Sequence, residues 1–169
     1  MLYIFQNGPM QTTAAPAKVT TGTAIKTLLQ LSLKTGVHGR IKEWGISFDG
    51  SAAATPGEIE LIETDVAATV TAAVTADITR LDARALSLGD PLTALINAGT
   101  AATGYTASAE GAITSVRNLD GVQLIAPTNQ FIKQFPLGDE PEIRDGTFVR
   151  IRATFAAAVN AYCYIKFEI

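Results

Sequence analysis

Histidine and cysteine each occur once in this chain, as His38 and Cys163, and charged residues make up only 17% of its 169 positions. One cysteine excludes an internal disulfide framework. His38 lies in a turn between Gly36 and Gly39 without partners at the spacing a catalytic triad or a histidine zinc site needs, so it reads as an exposed turn residue. No Walker A sequence and no Gly-x-Gly-x-x-Gly after a strand is present, which leaves no phosphate cradle. A basic surplus is missing too: the formal net charge is −3, and phosphate-backbone binding needs a basic footprint, so nucleic acid is not expected as a partner. No window approaches the ~20 apolar residues of a membrane span. The opening Met-Leu-Tyr-Ile-Phe is too short for a signal peptide, and no basic stretch precedes it. A soluble product made without export is expected.

Hydrophobic residues account for 47% of the chain, but many are alanine, which buries little area apiece. The length suits one domain spanning 1–169, able to bury roughly two-thirds of its unfolded surface. Low charge with abundant Ala, Thr and Gly suits a protein that covers its surface with neighbours.

Period-2 patterning dominates. In Thr147-Phe-Val-Arg-Ile-Arg-Ala-Thr-Phe155, Val149, Ile151, Ala153 and Phe155 alternate with Phe148, Arg150, Arg152 and Thr154. In Asn160 to Ile169, Ala161, Cys163, Ile165 and Phe167 alternate with Tyr162, Tyr164, Lys166 and Glu168. Two such segments joined by residues 156–159 predict a β-hairpin with one buried face. Residues 24–34, 40–49, 58–64 and 130–135 read as further strands, with Asp49-Gly50 as a turn. Residues 112–119 and 122–125 flank Asp120-Gly121, which predicts a second hairpin. Residues 66–76 read as irregular or extended, and 77–82 as a strand continuation or a short helical turn. Residues 1–23 read as an extended N-terminal arm or an edge strand. Residues 83–106, with Gly89, Pro91, Asn97, Gly99 and Gly104, predict a long loop-rich surface excursion. The fold class is all-β: an antiparallel β-sandwich, jelly-roll-like.

Side chains with chemistry are scattered. Cys163 shares the apolar face of its strand with Ile165 and reads as a buried structural thiol. Trp44 reads as core. Glu58, Glu60 and Glu63 read as mostly the outward face of a strand, and no second feature makes Glu58 and Glu60 a glycosidase-like pair. Asp139, Glu140, Glu142 and Asp145 lack EF-hand spacing and read as a solvated loop or one facing a basic neighbour. Arg150 and Arg152 form a basic stripe, with Lys166 across the expected hairpin. That stripe is either a contact for a carboxylate-bearing partner or one half of cross-strand pairing with residues such as Glu168. No enzyme, cofactor or metal site is expected.

In overall character the chain resembles tailed-bacteriophage capsid decoration (head cement) proteins of the β-sandwich or jelly-roll kind. The resemblance lies in Phe5-Gln-Asn-Gly-Pro-Met10 with the Thr/Ala-rich stretch after it, in Glu43-Trp-Gly-Ile-Ser-Phe-Asp-Gly-Ser-Ala-Ala-Ala54, and in the terminal Arg150-Ile-Arg-Ala-Thr-Phe155. It implies a non-enzymatic virion structural protein on the outer capsid surface, made in the host cytoplasm. It further implies homotrimers that clamp neighbouring subunits of the major capsid protein. Leu2, Tyr3, Ile4 and Phe5 of the arm, together with Arg150 and Arg152, are the candidate partner-binding residues. A tail or fibre component, or a β-sandwich that binds host-surface carbohydrate, is the competing expectation. The sparse aromatics, with only Tyr105 in the long excursion, weigh against the carbohydrate reading.

Overall fold

A computed structural model of the chain describes residues 1–49, 55–82, 92–126 and 129–169. In chain order the strands are β1 (Leu2–Gln6), β2 (Val19–Thr20), β3 (Lys26–Leu31), β4 (Gly39–Asp49), β5 (Gly57–Thr64), β6 (Thr69–Ala72) and β7 (Ile78–Arg80). A single helical turn, α1 (Leu92–Leu95), is followed by β8 (Gly104–Ala109), β9 (Val116–Leu124), β10 (Gln130–Gln134), β11 (Glu142–Ile143), β12 (Phe148–Thr154) and β13 (Asn160–Glu168). Sheet one runs β10-β4-β13-β1-β7, with β11 also on β4 and β2 also on β13. Sheet two runs β6-β8-β3-β12-β5-β9. The strand pairs of both sheets are antiparallel. The fold is therefore an all-β, two-sheet antiparallel architecture of the sandwich class. No helix among the described residues is long and apolar enough to cross a membrane.

The core lies between the sheets. Val149, Ile151, Ala153 and Phe155 of the β12 segment, and Ala161, Cys163, Ile165 and Phe167 of β13, are all at most 2% exposed. Period-2 alternation thus identified the buried faces correctly. The expected terminal hairpin is corrected, however. β12 pairs with β3 and β5 in sheet two, whereas β13 pairs with β4 and β1 in sheet one. The 156–159 connection carries the chain from one sheet to the other. Two apolar faces that alternate in sequence can meet face to face across a core as readily as lie side by side, and here they meet.

The Asp120-Gly121 turn is also corrected. β9 runs straight through it against β5, and the register shifts between Leu61 and Ile62. Leu61 faces Asp120 and Ile62 faces Asn118, so Leu119 is the extra residue of a β-bulge. A two-residue hairpin would need positive φ there. Among the described residues the positive-φ ones are Gly36, Gly99, Thr106, Gly111, Gly138 and Gly146 instead.

The N-terminal segment divides. β1 is an interior strand between β13 and β7, and Tyr3 and Phe5 are fully buried. Residues 9–18 are exposed. Leu2 to Phe5 are therefore part of the sandwich and not a free arm, because Tyr3 stacks on Phe167 at 5.6 Å and its burial depends on both neighbouring strands. Residues 69–72 form β6, and 75–77 make a 3-10 turn before β7. Of the expected 83–106 excursion, and of the Asp49-Gly50 turn, residues 83–91 and Gly50 lie outside the described residues. The rest of the excursion is tied to the core: Leu92 and Ile96 are buried, and Thr103 Oγ1 bonds Ser32.

Candidate functional site

The two outer sheet faces differ in what covers them. Over sheet two, residues 65–68 run from β5 to β6, and 110–115 run from β8 to β9. These segments close over polar side chains expected to be wet. Gln30 is fully buried, with its amide bonded to the backbone of Ala68, Ala101 and Ala102. Arg150 is fully buried too, and its Nη1 donates to Glu110 O at 3.0 Å. Among the described residues Arg150 Nε and Nη2 find no hydrogen-bond partner. Burial pushes the Arg150 pKa down, although the nearby Glu110 carboxylate opposes that shift. Glu110 also accepts from the Thr27 backbone and hydroxyl.

The expected basic stripe therefore does not exist as a free surface. Arg152 bonds Glu60 at 2.7 Å, its cross-strand neighbour on β5. Lys166 lies in the other sheet and pairs with Glu43. Tyr3, Phe5 and Arg150 are enclosed, and Leu2, Ile4 and Arg152 are half-buried. The structure does not bring these six candidate residues together.

The remaining carboxylates are largely held internally. Glu63, 1% exposed, accepts from Arg144 and Thr147, with Arg117 Nε at 2.6 Å. Burial opposes its ionisation, but the Arg144 and Thr147 hydrogen bonds and the Arg117 charge outweigh it and lower the pKa. The reading of Glu63 as an outward strand residue is corrected. In the acidic loop the carboxylates point apart: Glu140 to Lys42 at 3.0 Å, Glu142 to Arg40 at 3.7 Å, and Asp145 to the Gly36 amide at 2.7 Å. Among the described residues no group of three or more His, Cys, Asp or Glu could hold a metal ion. His38 is exposed; Cys163 is buried and desolvation pushes its thiol pKa far up.

The outer face of sheet one carries a built arrangement. Antiparallel partners share a face, so register places Ile132, Gly45 and Tyr164 in one row, and Gln134, Glu43 and Lys166 in the next. Tyr164 lies over Gly45: a Cβ at that glycine would meet ring carbons at 2.7 and 2.9 Å. Only glycine leaves room for the ring to lie there. The phenol donates to Glu43 Oε1 at 2.6 Å, and Lys166 Nζ donates to the same oxygen at 2.6 Å. Burial raises the Tyr164 pKa well above its ordinary value, and the Glu43 carboxylate adds to that. Burial works against Glu43 ionisation, yet the bonds from Lys166 and Tyr164 prevail and lower its pKa. The ring is thus held in place by a carboxylate that stays charged.

A groove of about 380 Å³ lies beside Glu43 and Lys166, lined by those two with Lys42, Gln134 and Glu168 and by the apolar Leu2 and Leu81. Sequence reading had placed Tyr162, Tyr164 and Lys166 on one face of their strand. It missed Glu43 and Gly45 as their partners, because only the β4–β13 register brings those residues beside them. The motif Glu43-Trp-Gly45 held the signal, a glycine two residues from a charged one inside an otherwise bulky strand. No family model matches the chain, and neither a curated protein nor a solved structure matches it.

Proposed function

We propose that this chain is a non-enzymatic virion structural protein that binds the outer capsid surface between capsomers and stabilises the shell, as a homotrimer on the major capsid protein. The jelly-roll form of the sandwich belongs to the same reading. One observation carries it. The edge of sheet two, β6 and β8 with the turn before β8, is made largely of short side chains, with Thr69, Thr71, Ala72, Ala101, Thr106, Ser108 and Ala109 exposed there. Charged groups further into the same sheet are engaged internally, as Arg150 with Glu110 and Arg152 with Glu60 are. A surface of small residues with little free charge lets a neighbouring backbone approach closely at low desolvation cost.

Electron-microscopic reconstruction of particles made with and without this protein tests the reading. Added density at inter-capsomer positions is expected, reduced in occupancy by Ala72→Arg in the exposed layer. Identical shells with and without the protein overturn it.

A further inference from the structure

We infer that sheet two carries a docking groove for an extended, carboxylate-bearing segment of a partner protein, placed where β3 and β8 part, and that Glu110 holds the carboxylate position in the free chain. The inference does not rest on the capsid reading, because the groove's chemistry selects an acidic strand whatever protein supplies it.

Three observations converge. The first is the split itself. β3 and β8 pair only at Leu29 with Tyr105 and at Gln30 with Gly104. Beyond that point β3 extends to Lys26 against β12, and β8 extends to Ala109 against β6. The register of β6 and β8 shifts in the same stretch, so β8 carries extra residues where it leaves β3. Thr106 stands at the parting with a φ of 57°, the one non-glycine residue of positive φ among the described residues. A β-branched residue in that conformation is strained, and such strain persists only where the surroundings fix it. A groove of about 380 Å³ opens here, lined by Ala24, Ile25 and Lys26 from the β3 side and by Ala107, Ser108 and Ala109 from the β8 side. Mostly short side chains let another backbone come close, and parted strands suit an extended chain.

The second is the Thr27 backbone. Its N–H has no strand opposite and donates to Glu110 Oε1 at 2.5 Å, while the Thr27 hydroxyl donates to Glu110 Oε2 at 2.5 Å. A side-chain carboxylate thus stands where a neighbouring strand would offer a carbonyl. Glu110 also lines the groove, and its side chain is 19% exposed.

The third is Arg150, fully buried beside Glu110. Its Nη1 donates to Glu110 O at 3.0 Å and meets the carboxylate only at 3.4 Å. Nε and Nη2 share the edge of the guanidinium that grips a carboxylate bidentately, and they find no partner among the described residues. The neighbouring charges are committed elsewhere: Asp65 accepts from Thr114 and Ser115, and Arg152 pairs with Glu60. A buried guanidinium bonded at one nitrogen has lost the hydration of the other two, and a carboxylate on that edge restores two bonds. An incoming acid that takes Thr27 and Arg150 releases Glu110 to water, so the site keeps its charge balance. Glu140, Glu142 and Asp145 are held by other groups of this chain, which points to another protein as the donor of the acid.

The test is calorimetric titration of the full chain with acetyl-Thr-Val-Glu-Val-Thr-amide, with its Gln analogue and with sodium acetate. Glu110→Gln removes the internal competitor and is expected to bind the Glu pentapeptide about ten-fold or more tightly than the unaltered chain. Glu110→Asp, which keeps the charge but shortens its reach, is the second variant and should gain less in the same direction. Trp44 fluorescence reports whether each variant is folded. The Gln analogue and acetate are each expected to bind Glu110→Gln at least about ten-fold more weakly than the Glu pentapeptide. In nitrogen-15 NMR the Arg150 Nε–H signal should shift with the Glu pentapeptide and stay in place with the Gln analogue. Equal affinity for the two pentapeptides, acetate matching the Glu pentapeptide, no gain in either folded variant, or an unmoved Arg150 signal overturns the inference. Self-association of Glu110→Gln in sedimentation would assign the groove to a second copy and overturn it too. Particle imaging decides the capsid reading separately.

Discussion

Trp44 Nε1 donates a 2.9 Å hydrogen bond to Asp120 Oδ2, joining β4 of sheet one to the edge strand β9 of sheet two. Lys133 on β10 reaches the other carboxylate oxygen at 2.8 Å. The bulge at Leu119 makes this possible, because it changes which way Asp120 faces along β9. A dipeptide that would turn a hairpin elsewhere here latches the two sheets at one edge.

Asp120→Ala leaves a fully buried indole N–H without an acceptor, and the expected loss is about 1–3 kcal/mol. Urea unfolding followed by the fluorescence of Trp44, the one tryptophan, measures it directly. Lys133→Ala is expected to change stability by under about 1 kcal/mol, because the lysine is 41% exposed and its pairing is screened. Equal losses for the two variants would contradict a latch made by the indole bond.

Glu63 gives the fold an acid-sensitive element. Its pKa is lowered in the folded state: burial opposes ionisation, and the Arg144 and Thr147 bonds with the Arg117 charge overcome it. A depressed folded value means that the carboxylate stabilises the fold fully above the unfolded carboxyl pKa of about 4.3. That contribution is lost as pH falls through the folded value. Glu63→Gln should lower stability at neutral pH and flatten the decline between about pH 5 and 3. Thermal unfolding across that range checks both, and a variant with the wild-type acid slope would assign the sensitivity to other carboxylates.

β1 tests whether the N-terminal segment is arm or core. Phe167 is fully buried and stacks on Tyr3, so Phe167→Ala should cost about 3–5 kcal/mol. Deleting residues 2–6 removes Tyr3 and Phe5 and uncovers one side of β13, so no cooperatively folded protein is expected. Polar substitutions at 11–15, which are exposed, should leave the unfolding midpoint unchanged. A folded product from the deletion, read by circular dichroism, would restore the arm.

Much of the fold was legible because burial follows side-chain alternation. Val149 to Phe155 and Ala161 to Phe167 declared which residues face the core, and the strands at 40–49, 58–64 and 130–135 were found close to their observed limits. Alternation names a face and leaves the neighbour open. Hence the terminal segments were joined as a hairpin when they belong to opposite sheets, and Arg150 was set on a wet surface that two crossing segments enclose. The Tyr164 platform was half legible: its strand showed the phenol and Lys166 together, but Glu43 and Gly45 come from a strand more than a hundred residues earlier.

By itself, then, the amino-acid sequence determined an all-β chain and the buried faces of strands such as Val149 to Phe155 and Ala161 to Phe167, though it left Tyr3 and Phe5 outside the core. Tertiary structure alone decided which strands pair, that Asp120 turns inward to Trp44, and that Tyr164 rests on Gly45 with its hydroxyl on Glu43. The reason is physical. Side-chain period is a local property of the backbone, whereas pairing, covering and register depend on contacts between segments distant along the chain, and many partners satisfy the same local pattern.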